Sequence, residues 1–223
     1  MALVAGCLLA APPLSAAEPL KFTVVGVTGA ECAPPILKAL KAVPGVHDPA
    51  LDWRSGTASV DADAGLDRER IRRALEGLGY EAVFSGEVRK DLEPLPEDQL
   101  RVLDIASASD GEKIDLAKTL APGKVTLIDF WASWCGPCRV LEIRLQHLAR
   151  GDSSLAIRRV NVGKFDNAAG RQATRDFGMR AIPYVRVYDP SGRFVGEDTA
   201  GGWDRVLRLV EKAHASAPTP AAR

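Results

Sequence analysis

The apolar run Val125–Ile128 continues through Asp129-Phe130-Trp131-Ala132-Ser133 into Trp134-Cys135-Gly136-Pro137-Cys138. A buried strand there gives way to a helix, and the two cysteines fall one helical turn apart. Cys135 then sits at the helix N-terminus, where unpaired N–H groups and the positive end of the dipole favour a thiolate, and Cys138 lies one turn inward. In that geometry the outer sulfur attacks a disulfide and the inner one resolves the product.

Two plainer readings fit the same spacing. A closed zinc site takes four ligands, but the other cysteines are Cys7 and Cys32, and the histidines, His47, His147 and His214, match no ligand spacing. A static disulfide does not call for Trp134, the Gly136-Pro137 insert and a strand-to-helix junction together. Redox chemistry accounts for all of them.

Around this motif, apolar periodicity alternates strands and helices. The expected elements are a strand over Gln99–Ile105, a helix over Lys113–Leu120, the buried strand Val125–Phe130, and a helix with Leu141, Leu145 and Leu148 on one face. A strand over Leu155–Val162, a helix over Ala168–Phe177, a hairpin turning at Asp189-Pro190-Ser191-Gly192 and a closing helix with Val206, Leu209 and Val210 follow. This is an α/β sandwich.

The segment Ile128–Cys138 resembles the active-site segment of thioredoxins, and Ala181-Ile182-Pro183 resembles that family's cis-proline turn. The resemblance covers residues 99–214 and implies a thioredoxin-like fold. It implies that Asp129 is the buried acid beneath the resolving cysteine, where a desolvated carboxylate accepts the Cys138 proton. It also implies substrate contact by Trp134, Gly136, Pro137, Ile182 and Pro183, with extended substrate backbone pairing beside the proline. Tyr184 departs from the family, whose reducing members carry a smaller hydroxyl residue there.

Residues 18–87 form a second unit ordered strand, helix, strand, strand, helix, strand, an α+β ferredoxin-like βαββαβ pattern. Its marks are Phe22–Val27, the stripe Ile36, Leu40 and Val43, the turn Arg54–Thr57, the stripe Ile71, Ala74, Leu75 and Leu78, and Glu81–Phe84. Val25-Gly26-Val27-Thr28, Cys32, Val43-Pro44-Gly45-Val46 and Gly79-Tyr80 resemble heavy-metal-associated (HMA) domains. That resemblance implies a soft ion such as Cu(I), held at Cys32. The family's metal loop has two cysteines, however, and Gly29 stands in place of the first. As an exposed odd thiol, Cys32 is open to a mixed disulfide with a partner, to bridging two chains, or to handling by the Cys135/Cys138 pair of its neighbour domain.

Residues 1–17 are small and apolar apart from Ser15 and end in Ser15-Ala16-Ala17, as an export signal does, although no Lys or Arg precedes Lys21. Val4-Ala5-Gly6-Cys7 resembles a bacterial lipobox, which makes a lipid anchor the second option. Either way the expected compartment is periplasmic or otherwise extracytoplasmic in a bacterium. Residues 88–98 are acidic and carry two prolines, as a semi-rigid spacer does, and residues 215–223 read as a disordered Ala/Pro tail. Formal net charge is zero over 223 residues, which argues against general nucleic-acid binding. Arg68, Arg70, Arg72 and Arg73 alternate with acids and read as a solvated helix face. The expected function is exported thiol-disulfide exchange, reducing protein disulfides, with no cofactor beyond the Cys135–Cys138 pair. Its partners are protein thiol and disulfide substrates and a membrane electron donor. The alternative is a metal-handling protein that keeps the cysteines of a copper client reduced.

Overall fold

The computed structural model describes residues 19–199 and 202–216, which form two sheets with separate cores. The expectations for residues 1–17, for Cys7 and for the chain beyond Ser216 lie outside the described residues.

The first unit runs β1 (Leu20–Val25), a 3-10 turn (Ala30–Cys32), α1 (Ala33–Lys41), β2 (Val46–Asp52), β3 (Thr57–Ala62), α2 (Arg68–Glu76) and β4 (Glu81–Phe84). Its sheet has the order β2-β3-β1-β4 with every neighbouring pair antiparallel. β1 shows why: Phe22 and Val24 turn inward while Lys21 and Thr23 face water. The inward residues pack with Ile36 and Leu40 of α1 and with Ile71 and Leu75 of α2. Pro34 and Pro35 open α1, where a missing N–H costs nothing, and the Asp67 carboxylate caps α2 by accepting from Glu69 N. This is the ferredoxin-like βαββαβ order. One detail of α2 differs from the solvated face expected. The Arg72 side chain is largely buried over the Phe84 ring, donating to the Ala82 carbonyl, to Glu87 and to Glu69, because three acceptors and a ring offset the loss of water.

The second unit comprises α3 (Glu97–Leu100), β5 (Ile105–Ser109), α4 (Leu116–Thr119), β6 (Val125–Trp131), α5 (Gly136–Gly151), β7 (Leu155–Asn161), α6 (Ala168–Asp176), β8 (Tyr184–Tyr188), β9 (Phe194–Thr199) and α7 (Trp203–Ala215). Strand order is β5-β7-β6-β8-β9, parallel across β5, β7 and β6 and antiparallel from β6 to β9. β6 is central and buried at every position but its last. Its alternate residues enter two cores, Val125 and Leu127 against α5 and α7, Ile128 and Phe130 against α6. That is why the run reads as continuously apolar.

Three elements differ from the sequence reading. Gln99 lies in α3, and the outer strand begins only at Ile105, because Pro96 with Glu97 and Asp98 makes a favourable helix start. The helix expected over Lys113–Leu120 contracts to α4, which starts after its cap Asp115. The final helix includes Ala215. The connection between the units is laid along α5: Leu92 and Leu95 are buried, Leu95 N donates to Gln146 Oε1 at 3.0 Å, and His147 Nε2 bonds the Glu93 carbonyl at 2.8 Å.

Candidate active site

β6 delivers the chain to the sulfur pair. Cys135 is the N-cap of α5, its sulfur accepting from Cys138 N at 3.1 Å. The two are joined in a disulfide with Cα atoms 5.2 Å apart, and both are buried, Cys135 to 4% exposure and Cys138 to 1%. Pro137 occupies the first turn, where it interrupts no helical hydrogen bond. Trp134 stands at the rim, 40% exposed, its indole N–H donating to the Gly163 carbonyl at 2.9 Å and its ring edge-on to Phe165. The Ile182–Pro183 peptide is cis, as the resemblance implied. β8 pairs with β6 through Tyr184 opposite Phe130, so Pro183 arrives beside the same strand end from which the sulfur-bearing turn departs. The Tyr184 ring is buried, and its hydroxyl is shared between the Phe177 carbonyl and Glu197, which makes the departure at this position part of the core.

Asp129 is completely buried. The parallel register sets it opposite Arg159 of β7, whose Nε donates to Asp129 Oδ2 at 3.1 Å while its Nη1 donates to Glu142 Oε1 at 2.8 Å. Arg159 also lies over the Trp131 ring. The second carboxylate oxygen, Oδ1, has no hydrogen-bond partner. Burial pushes the Asp129 pKa up, Arg159 pulls it back, Glu142 adds to the rise, and the result is about 6. Sequence reasoning named Asp129 and missed Arg159. The available signal was an arginine pair, Arg158-Arg159, inside the otherwise apolar strand Leu155–Asn161, since a charge in such a strand needs a partner.

The first unit covers this site, which no local pattern announced. The Thr28 hydroxyl donates to the Trp134 carbonyl at 3.1 Å. A Cβ at Gly136 would collide with the Gly26 carbonyl and stand 2.9 Å from the Tyr80 hydroxyl, so two backbone segments, one from each unit, meet there at a distance only glycine permits. Glu81 of β4, 2% exposed, makes an ion pair with Arg144 of α5. A cavity of about 470 Å³ opens beside that pair, lined also by Pro137, Val140 and Trp203.

Cys32 corrects an expectation, for it is buried at 3% exposure. Its sulfur lies 3.6 Å from Thr28 Oγ1. Burial pushes its thiol pKa up, but hydrogen bonds from Tyr80, from Thr28 and from the backbone of Thr28 and Gly29 outweigh that and hold it below the ordinary value. As a Cu(I) site the donors do not fit: one thiolate is surrounded by hydroxyls and amides, and among the described residues no three His, Cys, Asp or Glu side chains group as ligands.

Comparison with known proteins agrees with both halves. The thioredoxin family model matches residues 113–209, and the heavy-metal-associated domain model matches residues 21–81. Among curated relatives, thioredoxin 2 of Chlorobaculum tepidum is 42% identical over 32% of this chain and 62% of its own length, so the chain spans less than two thirds of that protein. The thioredoxin of Mycolicibacterium smegmatis is 35% identical over 42% of this chain and 82% of its own. Thioredoxin-1 of Drosophila melanogaster is 34% identical over 41% of this chain and 84% of its own. With most of two thioredoxins aligned to its second unit at a third identity, and an HMA domain ahead of it, the chain belongs to the thioredoxin family.

Proposed function

We propose that the chain is an exported thiol-disulfide oxidoreductase that reduces protein disulfides through Cys135 and Cys138, in the periplasm or another extracytoplasmic space of a bacterium. The observation that carries the reading is the closed Cys135–Cys138 pair at the start of α5 above a buried carboxylate with one unpaired oxygen. After reduction, the Cys135 thiolate attacks one sulfur of a substrate disulfide and the other leaves as a thiol. Cys138 then gives its proton to Asp129 and attacks Cys135, which releases the reduced substrate and restores the pair. The α5 N-terminus favours the Cys135 thiolate, and Trp134, Gly136, Pro137, Ile182 and Pro183 supply the surface on which the substrate lies. A membrane electron donor would return the pair to the dithiol, and the N-terminal unit would select or dock the client.

Reduction of a two-chain disulfide protein such as insulin, with dithiothreitol as donor, tests the chemistry. The wild-type chain should accelerate precipitation of the reduced chains, Cys135→Ser should lose that acceleration, and Cys138→Ser should accumulate a mixed disulfide with substrate. No acceleration by the wild type would reject the reading. Export is tested by N-terminal sequencing of the protein from a bacterial periplasmic fraction: a start near Glu18 supports a cleaved signal, and a lipid-modified Cys7 supports the anchor.

The match to the heavy-metal-associated model favours a second reading in which the client is a copper protein kept reduced for metal delivery. Titration of a Cys135→Ser, Cys138→Ser chain with Cu(I) bears on it. Stoichiometric uptake would revive metal binding by the N-terminal unit, and no uptake agrees with its single buried thiol.

A further inference from the structure

Cys32 is a buried nucleophile that the exchange reaction above leaves unused, and it does not stand alone. Two side chains of its own unit tie it to the turn that carries the disulfide. Thr28 Oγ1 is 3.6 Å from Cys32 Sγ and 3.1 Å from the carbonyl oxygen of Trp134, the residue bonded to Cys135. The Tyr80 hydroxyl helps to hold the Cys32 thiol pKa down, and the same hydroxyl lies against Gly136, the residue after Cys135. One hydroxyl on each side thus separates the third sulfur from the backbone flanking the first. Cys32 at 3% exposure and Cys135 at 4% are both shut off from bulk solvent.

We infer that Cys32 is the in-chain exchange partner of Cys135. The inference rests on the exchange chemistry proposed above and gives it a client within the same chain. When Cys32 carries a low-molecular-weight thiol as a mixed disulfide, the Cys135 thiolate attacks Cys32 Sγ. The Cys135–Cys32 bond forms, the Cys32–thiol bond breaks, and the small thiol leaves, taking a proton from water. The Cys138 thiolate, its proton given to Asp129, then attacks Cys135 Sγ and releases Cys32. Two electrons pass from the dithiol to the Cys32 mixed disulfide. The products are a free Cys32 and a Cys135–Cys138 disulfide, which is the state of the sulfurs in the structure.

The test is a trap in the full chain. Cys138→Ser removes the resolving thiol, so exchange stops at the Cys32–Cys135 linkage; Cys138→Ala serves equally if the serine variant does not fold. The variant is treated with oxidised glutathione, quenched in acid and mapped as non-reduced peptides. The expected result is a Cys32–Cys135 peptide pair in a monomeric chain, formed at a rate independent of protein concentration, with glutathione returned to solution. Cys135 remaining as its glutathione adduct beside an alkylatable Cys32 would overturn the inference, as would Cys32 linkage found only between two chains. Insulin reduction by the wild type separates the two readings. If it is present while the trap stays empty, only the role of Cys32 falls; if it is absent, the exchange chemistry itself falls.

Discussion

Asp129 costs the protein stability, and the cost has a pH window. Its folded pKa, about 6, stands above the ordinary carboxylate value, so the folded state holds the proton more tightly than the unfolded chain. Stability therefore falls as pH rises from about 4 to about 6, and the full penalty persists above that. Asp129→Asn should raise stability at pH 8 by roughly 2 kcal/mol, taking 1.36 kcal/mol per unit and allowing for the lost Arg159 contact, and should give no gain at pH 3.5. Urea unfolding at the two pH values checks this, and an equal effect at both would refute the electrostatic origin. The same variant should slow insulin reduction at pH 7 and flatten the rise in rate through pH 6, because the proton acceptor for Cys138 is gone. At this scale the sequence was informative where function concentrates residues in one segment: Cys135, Cys138, Trp134 and Asp129 all lie within ten positions. Arg159 lies on another strand, and only the parallel register of β6 and β7 brings it to Asp129.

Among the elements, those with a long apolar period were legible and the short ones were not. β6 and α5 could be read because a buried central strand and a 16-residue helix carry their patterns over many positions. α3 and α4 are four residues each, so the Pro96 ahead of α3 and the Asp115 cap of α4 decide them and periodicity does not. The contact of β4 with α5 has no sequence pattern at all. Glu81 alternates with nothing that marks it as buried, and its partner Arg144 is 63 residues away. Burial pushes the Glu81 pKa up and Arg144 opposes the rise. Arg144→Ala would leave that carboxylate buried beside only Arg89, 3.9 Å away, and should destabilise the folded chain by about 3 kcal/mol. Glu81→Gln in the Arg144→Ala background should recover a large part of that loss. Denaturant midpoints of the single and double variants measure both, and a double variant as unstable as Arg144→Ala alone would contradict an uncompensated charge as the cause.

At the scale of the whole molecule, two units that each read as independent are docked with the sulfur turn between them. The sequence showed both domains because each has its own alternation and its own core, but not the docking, which depends on Gly26, Thr28 and Tyr80 meeting Trp134 and Gly136. Gly136→Ala should therefore push the units apart without unfolding either, since the Cβ meets the Gly26 carbonyl and the Tyr80 ring rather than the core of the second unit. Alkylation of Cys32 by iodoacetamide should become at least several-fold faster in that variant, while circular dichroism stays unchanged; an unchanged alkylation rate would mean the units separate freely in the wild type. The central claim is reduction by the Cys135/Cys138 pair, and its reduction potential tests that most directly. Equilibrated with defined thiol buffers, the full chain should give a value near about −270 mV, as a thioredoxin-type reductant does, whereas a value near about −120 mV would make the pair a disulfide donor and contradict the account.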